Sequence, residues 1–224
     1  MNQEGINMTT PNERYIPALS FRWLTPLYDP LLKWAMREDT FKRYLVAQVD
    51  IQPGMNVFDL GCGTGTLTIL LKQANPQAEV TGLDGDPQVL AIARAKAEKA
   101  GVSINWEHGL AHDLPYPPAT FDRVVTSLVL HHLTRENKRK AFEQIHRVLK
   151  PGGEFHILDF GPPHSNGMRV IASFMRRLEE TADHFDGLIP ALLREAGFPG
   201  ITEARQFSTI FGPVSYLRAR PPAI

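Results

Sequence analysis

Cysteine is almost missing from this chain: Cys62 is the only one among 224 residues. A lone thiol closes no intrachain disulfide, builds no cysteine-rich zinc site and holds no iron–sulfur cluster, so no metal centre is expected. An excess of charge is missing too. The 24 Lys and Arg balance 24 Asp and Glu, for a formal net charge of +0. Without a global field there is no electrostatic argument for a nucleic-acid partner. No window of about 18 uninterrupted apolar residues occurs, and the opening MNQEGINMTTPNERYIP has no apolar stretch of the kind a secretory leader needs. The expectation is a cytoplasmic protein without a transmembrane segment. No segment is repeated or of low complexity.

What is present is an alternation. From residue 55 onward, β-rich runs MNVFDL (55–60), AEVTGLD (78–84), SINWEH (103–108), FDRVVTSLVL (121–130) and EFHILDF (154–160) are separated by segments of helical character. Asp86 before Pro87 reads as a helix N-cap, and the Pro151-Gly152-Gly153 run reads as the end of a helix whose apolar face carries Ala141, Phe142, Ile145, Val148 and Leu149. The basic run Lys138-Arg139-Lys140 is expected on the solvated face of that helix. Strands alternating with helices predict a doubly wound α/β fold around a mostly parallel sheet. A helix is expected near 166–182 and another at GLIPALLREAG, followed by an antiparallel hairpin of ITEARQF and GPVSYLRA at the sheet edge. Residues 1–50 read as a helical lid segment and 51–224 as the core.

The first strand runs into Asp59-Leu60-Gly61-Cys62-Gly63-Thr64-Gly65 and then directly into a helix. A glycine-dense strand-to-helix turn lets a ligand approach the backbone and aims helix N-terminal amides into the crevice. The second strand ends at Asp84, nineteen residues past Gly65, where a carboxylate can accept from both ribose hydroxyls of a nucleoside. The dinucleotide fingerprint G-x-G-x-x-G is not met, because Thr66 stands where the third glycine belongs, and no Tyr-x-x-x-Lys pair is present. A nicotinamide-dependent oxidoreductase is therefore the weaker nucleoside reading.

VFDLGCGTGTLTILL, VTGLDGDPQVLAIARAKA, DLPYPPATFDRVVTSLVLHHL and RVLKPGGEFHILDFG together resemble, in order, the motifs of class I S-adenosylmethionine-dependent methyltransferases of the small-molecule type. The likeness is to the ubiquinone- and menaquinone-biosynthesis group, and it runs from about Gln52 to Gly161. It implies a seven-stranded sheet with a final antiparallel strand and S-adenosyl-L-methionine as cofactor. By resemblance, Asp59 with the backbone of Gly61, Cys62 and Gly63 holds the methionine end and Asp84 the ribose. Leu110 and Ala111 flank the adenine, Gly85 lies at the adenine face, Ser127 and Leu128 face the sulfonium, and Tyr28 closes over the cofactor. Two positions depart from the pattern. Leu110 replaces an aspartate that accepts from the adenine amino group, leaving that task to the backbone, His112 or Asp113, and Gly85 replaces a larger apolar residue. Those departures motivate a rival reading as a non-catalytic cofactor-binding relative.

Methyl transfer from a sulfonium is an in-line displacement, so the protein supplies alignment, a dry cavity and in some cases a base. Histidine suits proton removal near neutral pH. His131 is the candidate base, with His132, His164 and His184 behind it and Asp159 as a pocket residue at the end of the fifth strand. Without an Asn/Asp-Pro-Pro-Tyr sequence, methylation of planar amino groups is disfavoured, and the single cysteine disfavours thiol-based and radical chemistry. The reading is methyl transfer to O, N or C of a small, lipophilic acceptor, with a homodimer left open as the assembly.

Overall fold

The computed structural model describes residues 38–176 and 180–222. The element order is α1 (Glu38–Val49), β1 (Asn56–Leu60), α2 (Thr66–Ala74), β2 (Glu79–Asp84), α3 (Pro87–Lys99), β3 (Asn105–His108), β4 (Phe121–Ser127), a 3-10 turn (Leu130–His132), α4 (Arg135–Val148), β5 (Leu149–Phe160), α5 (Asn166–Met175), α6 (Ala182–Phe185), α7 (Ile189–Glu195), β6 (Gly200–Thr209) and β7 (Gly212–Arg220). The strands form one sheet of order β3-β2-β1-β4-β5-β7-β6. The first five strands run parallel, and β7 enters antiparallel between β5 and β6. The doubly wound α/β class and the edge hairpin are as the sequence predicts. Tyr28 and the rest of the expected lid segment up to residue 37 lie outside the described residues.

Alternation along the strands splits the core in two. Phe58, Val124, Phe155 and Ile157 face one layer with Phe142, Ile145 and Val148 of α4 and Leu192 and Leu193 of α7. Val57, Val125 and Leu158 face the other with Phe41 and Leu45 of α1, Leu71 of α2 and Tyr216 of β7. A parallel sheet covered on both faces leaves its polar work to the strand ends. In the first layer Phe155 sits between Phe142 and Phe198, with ring centroids 6.2 and 6.1 Å apart. At the start of α3, Asp86 caps as expected, its carboxylate accepting from the Gln88 amide at 2.8 Å.

Three expectations are corrected. The fourth strand ends at Ser127, not Leu130, because the next amides turn away from the sheet. Leu128 takes φ +58°, and the amides of Val129 and Leu130 donate to Asp159 Oδ2 at 3.1 and 2.8 Å. The Pro151–Gly153 run does not end α4. β5 starts at Leu149, and these residues form a bulge inside it, where the pairing jumps from Phe121↔Leu149 to Arg123↔Glu154. The helix expected over 166–182 spans Asn166–Met175, with Ala182–Phe185 a separate turn.

Lys138 also departs from its expected solvated face. Its side chain is fully buried, its Nζ donating to the Glu180 carbonyl at 2.8 Å and pairing with Asp183 at 3.3 Å, while Arg135 Nε donates to the same carboxylate at 2.9 Å. Its neighbours Arg139 and Lys140 are exposed. Burial pushes the Lys138 ammonium below its usual range and Asp183 opposes that, so the pair survives only as a unit. Breaking one member of a buried pair costs about 3 kcal/mol or more. Lys138→Ala is expected to lower unfolding free energy by that amount in urea titration, and a loss below about 1 kcal/mol would show that solvent screens the pair.

Candidate active site

The carboxyl ends of β1, β2, β4 and β5 lie side by side, and each carries a predicted site residue. At the end of β1, Asp59 is buried and its Oδ2 accepts from Thr68 Oγ1 of α2 at 2.7 Å. Burial, only partly opposed by Thr68 and Lys42, pushes its carboxyl up to about 6, and the Asp84 carboxylate nearby adds to the rise. A buried carboxyl with that bias is poised to meet a cation.

The turn after β1 is built around two glycines. Gly61 takes φ +69°, and a Cβ there would fall 2.5 Å from both Val129 methyls, so the glycine turn presses directly on the turn after β4. Gly63 takes φ +54°, and a Cβ there would meet no atom within 4 Å, which marks an open face where a ligand can come against the backbone. The Gly61 and Cys62 amides both donate to the Leu83 carbonyl, at 2.8 and 2.9 Å. The Gly63 amide donates to Asp84 Oδ2 at 2.8 Å, and Asp84 Oδ1 accepts from the Asp86 amide at 3.0 Å. All three loop amides are thus engaged in shaping the turn, and a bound group would share them. Gly65 precedes α2 without any side-chain cap, which leaves the helix N-terminus facing the crevice. Cys62 is buried, and burial with the Asp59 and Asp84 carboxylates holds its thiol protonated, which suits packing and not nucleophilic chemistry.

Around the far side of Asp84, the Gly85 carbonyl bonds His108 Nε2 at 3.1 Å. Leu110 is 39% exposed and forms a tight bridge with Asp113, while Ala111 packs on the first core layer. The Gly109 amide donates to the Asp84 carbonyl at 3.1 Å, which ties the segment leading to Leu110 to the end of β2. At the end of β4, Ser127 Oγ is shielded from solvent and has no hydrogen-bond partner among the described residues. Leu128 follows in a left-handed backbone conformation, which is a strained state for a branched residue and concentrates at functional turns.

His131, on the 3-10 turn, is buried, and its Nδ1 lies 2.7 Å from Asp159 Oδ1. Asp159 accepts in addition from the Val129, Leu130 and Phe160 amides. These donors, with the two facing histidines, hold its carboxyl well below the usual range against the opposing effect of burial. His184 comes in from α6, its ring 6.3 Å from that of His131 and its Nδ1 donating to the Phe160 carbonyl at 3.0 Å. His164 is exposed and shares a 3.3 Å contact with Ser208, away from this cluster. His156 faces the opposite layer on Tyr216. The meeting of His184 with Asp159 and His131 has no local signal in the sequence, because it lies 25 positions beyond Asp159 with helix α5 between them.

A glycine turn with an uncapped helix start, an acid ending the neighbouring strand and buried polar residues at the adjoining strand ends are the marks of a nucleoside-cofactor enzyme of the open α/β class. Comparison with known proteins narrows the class. Residues 57–153 match the methyltransferase domain family. An uncharacterized methyltransferase of Synechocystis sp. is 36% identical over 187 residues, spanning 82% of this chain and 84% of that protein. A demethylmenaquinone methyltransferase of Thermus thermophilus is 36% identical over 154 residues, 67% of this chain and 69% of that one. Among solved structures, the apo form of the S-adenosylmethionine-dependent methyltransferase SibL superposes with a TM-score of 0.65 at 20% identity, covering 88% of this chain and 58% of that one. The chain belongs to the class I S-adenosylmethionine-dependent methyltransferases, which disfavours the nicotinamide reading.

Asp59 offers a direct test of the site's electrostatics. A carboxyl raised to about 6 contributes stability that is fully present below its ordinary value of 3.8 and is lost as pH rises through 6. Measured against Asp59→Asn, the native protein should lose on the order of 3 kcal/mol between pH 4 and pH 7. A pH-independent difference would place the carboxylate in contact with water.

Proposed function

We propose that this chain transfers the methyl group of S-adenosylmethionine to O, N or C of a small, lipophilic acceptor. The observation that carries the reading is the coupling of the Gly61–Gly65 turn to Asp84 through the Gly63 amide, in front of an open face. The donor set suits the cofactor's chemistry: a buried carboxyl for the ammonium, a carboxylate for the ribose hydroxyls, an apolar surface for the base. In this reading Asp59 and the Gly61, Cys62 and Gly63 backbone hold the methionine end, and Asp84 holds the ribose. Gly85, Leu110 and Ala111 border the adenine, and Ser127 and Leu128 face the sulfur side. Tyr28, outside the described residues, takes the covering role.

The bound cofactor supplies a methyl carbon already activated by its sulfonium. The protein's part is to bury, align and, through His131, remove the acceptor's proton. Among the described residues no helix is long and apolar enough to cross a membrane. Relatives named for demethylmenaquinone make a short-chain demethylmenaquinol the first acceptor to try.

Isothermal titration with S-adenosylmethionine and S-adenosylhomocysteine tests the cofactor assignment. Saturable binding to both is expected, and Asp84→Ala should weaken it by about 1 to 3 kcal/mol, or roughly 5- to 150-fold. Absence of heat from either ligand, or an unchanged dissociation constant in the variant, would remove the assignment. Labelled methyl transfer to short-chain demethylmenaquinol tests the acceptor class. Cofactor binding with no transfer to it or to a panel of phenols, amines and carbon acids would favour the non-catalytic relative.

A further inference from the structure

Helix α3 brings Lys96, partly buried, to the glycine turn, where its Nζ donates to Thr64 Oγ1 at 3.1 Å and to Thr66 Oγ1 at 2.7 Å. These two threonines flank Gly65, the last residue before α2, whose backbone is left-handed at φ +75°. No side chain fits at Gly65, since a Cβ there would lie 2.6 Å from Trp106 Cη2 and 2.9 Å from Ala93 Cβ. Glycine is therefore required here, and it is the residue with the most backbone freedom to lose. With no side chain to hold it, Gly65 relies on its backbone bonds to Cys62 and Ile69, 2.9 Å each, and on its neighbours. The same helix secures those neighbours. Ala93 and Lys96 stand three residues apart on one face of α3, so Ala93 presses on the glycine while Lys96 ties the residue on either side of it. Stabilising α2 is not what the contact does, because an ammonium at the first turn of a helix opposes that helix's dipole.

We propose that Lys96 is a positioning residue for the methyl donor: by clamping the Thr64 and Thr66 hydroxyls it fixes Gly65, and with it the join between turn and helix, before the ligand arrives. The proposal rests on the reading of this turn as the S-adenosylmethionine site. An ammonium has only donors, so each hydroxyl meets it with a lone pair and turns its own proton away. One of these hydroxyls belongs to the turn and the other to the first residue of α2, and both are tied to α3. Turn and helix start then cannot move apart without breaking one of the two bonds. Asp84 holds the other side of the turn through the Gly63 amide. A turn kept in one shape before binding loses less conformational freedom on binding, and the saving appears as affinity. In this role Lys96 acts through the two hydroxyls and not by touching the donor.

Titration calorimetry of the full-length protein with S-adenosylhomocysteine tests the clamp. Lys96→Met keeps a long side chain and removes the donors, and its dissociation constant should rise about 10-fold. Replacing both hydroxyls, T64V with T66V, leaves Lys96 in place and should weaken binding to a similar extent. The triple variant should then bind no more weakly than either, because all three residues form one unit. Unchanged affinity in K96M, or factors that multiply in the triple variant, overturns the proposal. A lowered Tm with native affinity marks a purely structural lysine and overturns it as well. Where K96M does not fold, the T64V/T66V protein decides alone, and native affinity there is the overturning result. No binding to the native protein removes the reading of the site itself, which is a different failure. Amide hydrogen exchange without ligand supplies the second measurement. In K96M the Gly65 amide should exchange about 10-fold faster, while the Gly61 and Cys62 amides, held by the Leu83 carbonyl, keep their rates. Equal acceleration at all three is general loosening and overturns the proposal.

Discussion

A parallel sheet clad by helices on both faces has little lateral surface on which to place a charge, and this chain puts the three carboxylates of its candidate site where strands stop. Asp59, Asp84 and Asp159 end or nearly end β1, β2 and β5, three strands whose carboxyl edges share one crevice. Each is satisfied differently, and the difference sets its chemistry. Asp59 has one hydroxyl partner and is pushed up to about 6 by burial, whereas Asp159, with three amides and a histidine, is driven the other way. Asp84 spends its oxygens on two backbone amides and thereby joins the first turn to the second.

These ends are not independent. The Leu83 carbonyl receives two amides of the glycine turn, and Gly61 leaves just enough room for Val129 from the neighbouring turn. Val129 is in turn bonded to Asp159, which holds His131. A chain of contacts thus runs from β2 to β5, through backbone and short side chains. Pre-organisation of that kind is what an in-line displacement needs, since its barrier falls mainly through alignment.

Much of this was legible beforehand because it is local. The βαβ alternation, the Asp86 cap, the glycine turn and the acid ending β2 all follow from side-chain period and turn chemistry, which a few adjacent residues determine. Two of the corrections have a common cause. FDRVVTSLVL is apolar throughout and reads as one strand to Leu130, yet the chain leaves the sheet after Ser127 because Asp159, 29 residues from Leu130, captures its amides. Lys138 reads as solvated by charge, yet it is buried because Asp183 and the Glu180 carbonyl meet it from another segment.

By itself, then, the single-cysteine, charge-balanced sequence determined the fold class, the succession of strands and helices along the chain and the glycine turn after β1, since each is written in contiguous residues. Only the tertiary structure decided which histidine has a carboxylate behind it, which carboxyl is raised and which lowered, and which lysine is buried. Those properties depend on desolvation and on partners 25 to 45 residues distant in the chain, and nothing in a local pattern measures either.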